Sequence, residues 1–129
     1  MSQYTFGGVV DGDFESVREH VVEALGNEGF GVLTEIDVAA TMKAKLDKDV
    51  PPYRILGACN PSLAFEAISH DPHIGALLPC NVVVRQTKTG VAVDFMDPQS
   101  VLALVGDGVG ELAAEVRGRL NKVKESVLG

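Results

Sequence analysis

The segment CNVVVRQTKTGVAVDFM, residues 80–96, constrains the fold more than any other stretch. Two runs rich in valine, CNVVVRQ and VAVDFM, flank Thr87-Lys88-Thr89-Gly90, and a short polar connection ending in glycine between two such runs signals a β-hairpin. A hairpin commits the chain to at least one antiparallel strand pair. The rest of the sheet must be built around that pair.

Reading outward from it, QYTFGGVV alternates as a strand with one buried face. Asp13 then caps a helix whose stripe is Phe14, Val17, Val21 and Leu25, with Gly26 and Gly29 at its exit. In FGVLTEIDV, strict alternation places Phe30, Val32, Thr34, Ile36 and Val38 on one face and turns Glu35 and Asp37 away. A short helix with Ala39, Met42 and Leu46 on its apolar side follows and ends at Pro51-Pro52. The strand YRILGAC stops at Asn60-Pro61, which starts a helix: asparagine is a good N-cap, and proline suits the first helical position because its missing N–H has no partner there. That helix runs to about His70, before the Asp71-Pro72 turn. Asp97-Pro98 repeats the device for a short helix through Val105, and a last helix is predicted over about 107–126. The order is strand, helix, strand, helix, strand, helix, strand, strand, helix, helix. It predicts an α+β fold: an open, mostly antiparallel sheet of about five strands covered by helices in a two-layer sandwich.

At 129 residues, one domain spanning 1–129 buries about two-thirds of the surface of its unfolded chain and needs no covalent staples. A hydrophobic content of 46% and a mean hydropathy of +0.16 exceed what one small core hides, so a homodimer or a lined pocket is expected. No apolar run approaches the ~20 residues of a membrane-spanning helix. The net charge of -7 and pI near 4.8 oppose binding to phosphate backbones, so neither membrane nor nucleic acid is an expected partner. MSQYTFGGVV lacks the basic-then-apolar pattern of a secretory leader, and the expected location is cytoplasmic, with Cys59 and Cys80 as reduced thiols.

Those two cysteines are the residues with the most chemistry to offer. Cys59 ends a strand just before the positive end of a helix, where a thiolate is favoured; a small buried strand residue is the plain structural alternative. Cys80 opens the hairpin. Adding His70 and His73 from the intervening HDPH gives two sulfurs and two imidazoles, a set able to hold zinc or copper(I) if the fold closes around it. There is no C-x-x-C. The glycines of VGDGVGEL lack the phosphate-loop pattern and carry Asp107 and Glu111, so they read as a helix-to-helix turn.

Taken together, EIDV at 35–38, ILGACNP at 55–61, DPHIGALLPCNVVV at 71–84 and the late Asp97-Pro98 resemble the family known as domain of unknown function 302, over nearly the whole chain. The resemblance implies a small α+β sandwich of bacteria and archaea, commonly dimeric, with no established activity. Its characteristic positions fall at Cys59, Asn60, Pro61, Asp71, Pro72, Gly75, Pro79 and Cys80. Asn60 and Pro61 cap a helix, Asp71 and Pro72 make a turn, and Gly75 is expected in a backbone conformation other residues resist. The thiols remain without a structural reason. The resulting expectation is a non-enzymatic cytoplasmic homodimer that binds a small ligand or soft metal ion near Cys59, Cys80, Asn60, Met42 and Met96. Two alternatives are a thiol-dependent redox enzyme, with Cys59 as nucleophile and Cys80 resolving it, and an interaction module with inert thiols.

Overall fold

The computed structural model describes residues 2–129. Its elements in chain order are β1 (Thr5–Val10), α1 (Phe14–Asn27), β2 (Gly31–Asp37), α2 (Val38–Leu46), β3 (Tyr53–Cys59), α3 (Pro61–His70), a 3-10 turn (Pro72–Leu77), β4 (Cys80–Gln86), β5 (Val91–Met96), α4 (Pro98–Leu102) extended by a 3-10 turn (Ala103–Val105), and α5 (Gly110–Leu128). The strands form one sheet in the order β1-β5-β4-β3-β2, with every neighbouring pair antiparallel. The expected α+β class and five-strand open sheet are both present. The hairpin forms as predicted, its turn held by Thr87, whose backbone N–H and hydroxyl both donate to the Gly90 carbonyl at 2.7 Å.

Register sorts the strand residues into two faces. Val91, Val93 and Phe95 of β5, Val82 and Val84 of β4, and Leu56 and Ala58 of β3 lie on one side and are almost fully buried. On them pack Phe14, Val17, Val21 and Leu25 of α1 and Val116, Leu120, Val123 and Val127 of α5, in the main core. A second, smaller core joins Ala67 of α3, Ile74, Leu102 and Ala113, where α3, the 3-10 turn, α4 and α5 meet at one end of the molecule. The N-caps are those the sequence announces: Asp13 accepts from the Ser16 N–H, Asn60 from Leu63 and Asp97 from Gln99.

The structure departs from strict alternation in β2. The pairing with β3 shifts between Val32 and Thr34, so Leu33 is an extra residue in a β-bulge. Beyond it the faces invert: Thr34 and Ile36 lie on the side away from the helices, and Glu35 and Asp37 lie on the helix side, opposite Leu56 and Arg54. A bulge consumes one residue without advancing the register, which no period-2 pattern reveals. Asp37, expected as an outward strand residue, also caps α2 through the Ala40 N–H at 2.9 Å. That helix has no buried residue, and Leu46 of its predicted apolar side is 62% exposed. Gly75 corrects another expectation. It has no positive φ and sits in open space inside the 3-10 turn, so its backbone makes no demand for glycine. The last helix starts at Gly110 rather than near 107, because Asp107-Gly108 is spent on a turn pinned by His70.

Candidate cysteine crevice

The hydrogen-bond register of the two central strands decides how the cysteines meet. Ala58 of β3 stands directly across from Cys80 of β4, so Cys59 is the next residue along, diagonal to Cys80 at the sheet's end. Immediately after it Asn60 turns the chain into α3, which folds back over the sheet. The strand ends, α3, α5 and Phe30 enclose an apolar crevice lined by both cysteines together with Asn60, Leu63, Ala67, Pro79 and Val116. Its volume is about 30 Å³, enough for a water-sized guest and far below the ~300 Å³ of a typical organic-ligand pocket.

The two thiols differ in character. Cys80 is buried among the main-core residues. Burial pushes its thiol up to about 11, with the neighbouring Cys59 thiol adding to the effect, since a thiolate there is neither hydrated nor paired. Cys59 is partly exposed. Side chains alternate along a strand, so Cys59 leaves β3 on the face opposite Ala58 and Cys80, and the two Cα–Cβ bonds diverge. A disulfide needs Cβ atoms ~4 Å apart and facing one another, so direct closure requires the strand ends to move.

Asn60 is the polar fixture of the crevice. It is 9% exposed, and its Oδ1 accepts from the Leu63 N–H at 3.2 Å, starting α3. Arg119 of α5 donates from Nη1 to the Glu28 carbonyl at 3.3 Å, and Gly29, at φ 84°, brings that turn so close that a Cβ there would lie 2.8 Å from Asn60 Nδ2. The end of α1, the start of α3 and the middle of α5 are thereby tied together beside the crevice. Arg119 and Gly29 did not announce this role in sequence, because their partners stand far along the chain.

The remaining predicted site residues lie elsewhere. Met42 is half-buried on α2, and Met96 packs against the main core at the end of β5; neither lines the crevice. His70 ends α3, and ten helical residues separate it from Asn60 by about 15 Å. Its Nε2–H donates to the Asp107 carbonyl at 3.2 Å. His73 is 96% exposed, with Nδ1 2.9 Å from Asp71 Oδ1, an arrangement that, with the His73 backbone N–H first and its ring second, holds the Asp71 carboxyl below its ordinary value. The length of α3 keeps both imidazoles from the sulfurs. Among the described residues no group of three or more His, Cys, Asp or Glu side chains is placed to hold a metal ion.

The described helices include none long and apolar enough to cross a membrane. Comparison with curated proteins gives no match. The chain is similar in structure to an uncharacterized conserved protein DUF302 from Bacillus stearothermophilus, at 26% identity, with a TM-score of 0.90 over 98% of this chain and 99% of that one. The family model for domain of unknown function DUF302 matches residues 8–127. With nearly the whole length matched in sequence and in fold, the chain belongs to the DUF302 family.

Proposed function

We propose that the protein is a non-enzymatic homodimer that takes a soft, thiophilic cation of the copper(I) class at Cys59 and Cys80. The observation that carries this reading is that both cysteines line one apolar crevice of about 30 Å³. Its size suits an ion and rejects an organic molecule. Its apolar walls favour a soft monovalent ion, which two thiolates can hold alone, over a hydrated hard cation. Metal–sulfur bonds of ~2.3 Å on either side of an ion also span about twice the length of a disulfide, which suits two diagonal thiols on diverging bonds.

The redox alternative, with Cys59 as nucleophile and Cys80 resolving it, receives less support. A resolving thiol acts as its thiolate, and burial holds Cys80 as the neutral thiol at neutral pH.

The test is native mass spectrometry of the reduced protein purified without chelators, followed by titration with copper(I) and with silver(I) as a redox-inert analogue. One ion per chain is expected, with affinity rising with pH because the ion displaces the Cys80 proton, and with binding lost in both Cys59→Ser and Cys80→Ser. An absence of binding under titration removes this reading and leaves the interaction module with inert thiols.

A further inference from the structure

The side of the sheet turned away from the helices carries a partly apolar surface. An antiparallel sheet that is solvated on one face alternates apolar and polar residues. Here the outward positions include Val9, Ile36, Tyr53, Ile55, Val83 and Ala92, beside the polar Thr5, Thr34 and Asn81. Ala92 is 1% exposed yet belongs to neither core. Val9 and Ile36 are 52% and 49% exposed. In β4 and β5 the outward positions alternate Val83, Ala92 and Met96 with Asn81, Arg85 and Asp94, while the inward positions Val82, Val84, Val91, Val93 and Phe95 are all apolar.

Among the described residues, the charged strand positions on this face are Arg85 and Asp94. They belong to adjacent strands, β4 and β5, and pair at 3.0 Å. A groove of about 630 Å³ runs beside them between Tyr4 and Tyr53, with Gly7 and Ala92 in its floor and Lys124 at its rim. The acidic excess of the chain, net -7, lies elsewhere: on α1 (Glu15, Glu19, Glu23), on the end of α2 (Asp47, Asp49) and on α5 (Glu111, Glu115, Glu125). On this face the strand charges balance, one Arg85 against one Asp94, which lowers the repulsion between two copies that meet there.

Resting on the homodimer reading above, we propose that this bare sheet face is the two-fold interface, with Arg85 of each copy meeting Asp94 of the other across the axis. A two-fold contact must be self-complementary, and an opposite-charge pair in a partly apolar field satisfies that condition with itself. Five strands ~4.8 Å apart and six residues of ~3.4 Å long give a footprint of roughly 24 by 20 Å. Two such faces bury about 1,000 Å² before side-chain relief is counted, which reaches the size of a specific interface.

Sedimentation velocity and native mass spectrometry of the full chain test the proposal. The wild type is expected at twice the 13.6 kDa chain mass. Val9→Arg and Ile55→Arg should each give a monomer with an unchanged circular dichroism spectrum. Arg85→Glu alone sets acid against acid across the axis, and Asp94→Arg alone sets base against base, so each should dissociate. An equimolar mixture of those two single variants should reassociate as a heterodimer, although neither chain then holds its own internal pair. A dimeric wild type whose four variants all stay dimeric, or whose charge variants fail to reassociate on mixing, overturns the face while leaving the homodimer reading in place. A monomeric wild type at high micromolar concentration overturns both.

Discussion

Arg54 Nη1 lies 2.6 Å from Glu35 Oε2 across the β2–β3 pair, on the helix-covered side of the sheet. The same guanidinium reaches Glu15 of α1 and Asp37 of β2, each at 3.3 Å, while Arg18 bridges Glu15 and Glu35. The Glu35 hydrogen bond, against some desolvation and with help from Asp37 and Glu15, raises the Arg54 pKa above its ordinary value. At this corner the sheet is clamped to α1 by charge where the rest of it is clamped by valine.

Removing the centre of that clamp leaves three carboxylates facing one another. Arg54→Ala is expected to destabilise the protein by about 1–2 kcal/mol in urea denaturation at low salt. The deficit should shrink in 1 M NaCl, where the repulsion among Glu15, Glu35 and Asp37 is screened. A loss indifferent to salt would reassign the role of Arg54 to packing of its stem.

The buried Cys80 thiol has a raised pKa, so its contribution to stability is full below the ordinary value of 9.0 and is lost as pH rises toward about 11. Across that window the wild type should lose about 3 kcal/mol relative to its own neutral-pH stability, and Cys80→Ala should lack that arm of the curve. At pH 8 iodoacetamide should modify Cys80 ~100-fold more slowly than free cysteine, as its smaller thiolate fraction dictates. Peptide mapping after timed quenching reads the rate.

Asp97 titrates in the opposite sense. Burial works to raise its pKa, but the Arg117 side chain at 2.7 Å, the Gln99 N–H and Ser100 together outweigh it and hold the carboxyl below the ordinary 3.8. Its stabilising contribution is present above that value and is lost as pH falls through the lower folded-state pKa. Asp97→Asn should flatten the acid limb of the stability curve below about pH 4. Arg117→Met should flatten it too while keeping the α4 cap, which separates the ion pair from the capping role.

Asn60 combines a cap with burial. Asn60→Ala should cost about 1–2 kcal/mol, a fall in Tm of roughly 3–6 °C by calorimetry, and Asn60→Ser should recover part of it. Recovery by serine points to the Leu63 hydrogen bond; no recovery points to the contacts with Gly29.

Gly106 and Gly108 have φ values of 90° and 97°, yet their surroundings differ: a Cβ at Gly106 meets nothing within 4 Å, whereas one at Gly108 runs into the His70 imidazole. Gly106→Ala should therefore cost the backbone strain alone, about 1–3 kcal/mol, and Gly108→Ala more. Adding His70→Ala should narrow the gap between the two, as read from paired chemical denaturation curves.

Much of the architecture could be read from local signals. The Thr87–Gly90 turn, the caps at Asp13, Asn60 and Asp97, and the stripes of α1 and α5 each depend on neighbours within a few positions. The failures share the opposite property. The bulge at Leu33, the exposure of α2 and the meeting of Gly29, Asn60 and Arg119 are settled by partners far away in sequence. The candidate site shows the same division. Cys59, Asn60 and Cys80 converge because a strand pair and a helix start bring them together, whereas His70 and His73 were grouped with them by sequence proximity and are carried off by the length of α3. Met42 and Met96 do not join the cysteines: the topology places Met42 in the middle of α2 and Met96 at the end of β5, away from the crevice.

The sheet order β1-β5-β4-β3-β2 also sets a sequence of events in time. Strands β2 to β5 each pair with their nearest successor, so that meander can assemble from short loop closures. Strand β1 is different: Thr5 pairs with Met96 and waits for a loop spanning most of the chain to close, which makes its docking the slow step entropy imposes. On the ribosome the first strand made is thus the last to be matched. Its Gly7-Gly8 pair, poor in strand propensity and shaped for the close approach of Val93, disfavours premature pairing of that waiting segment with other chains.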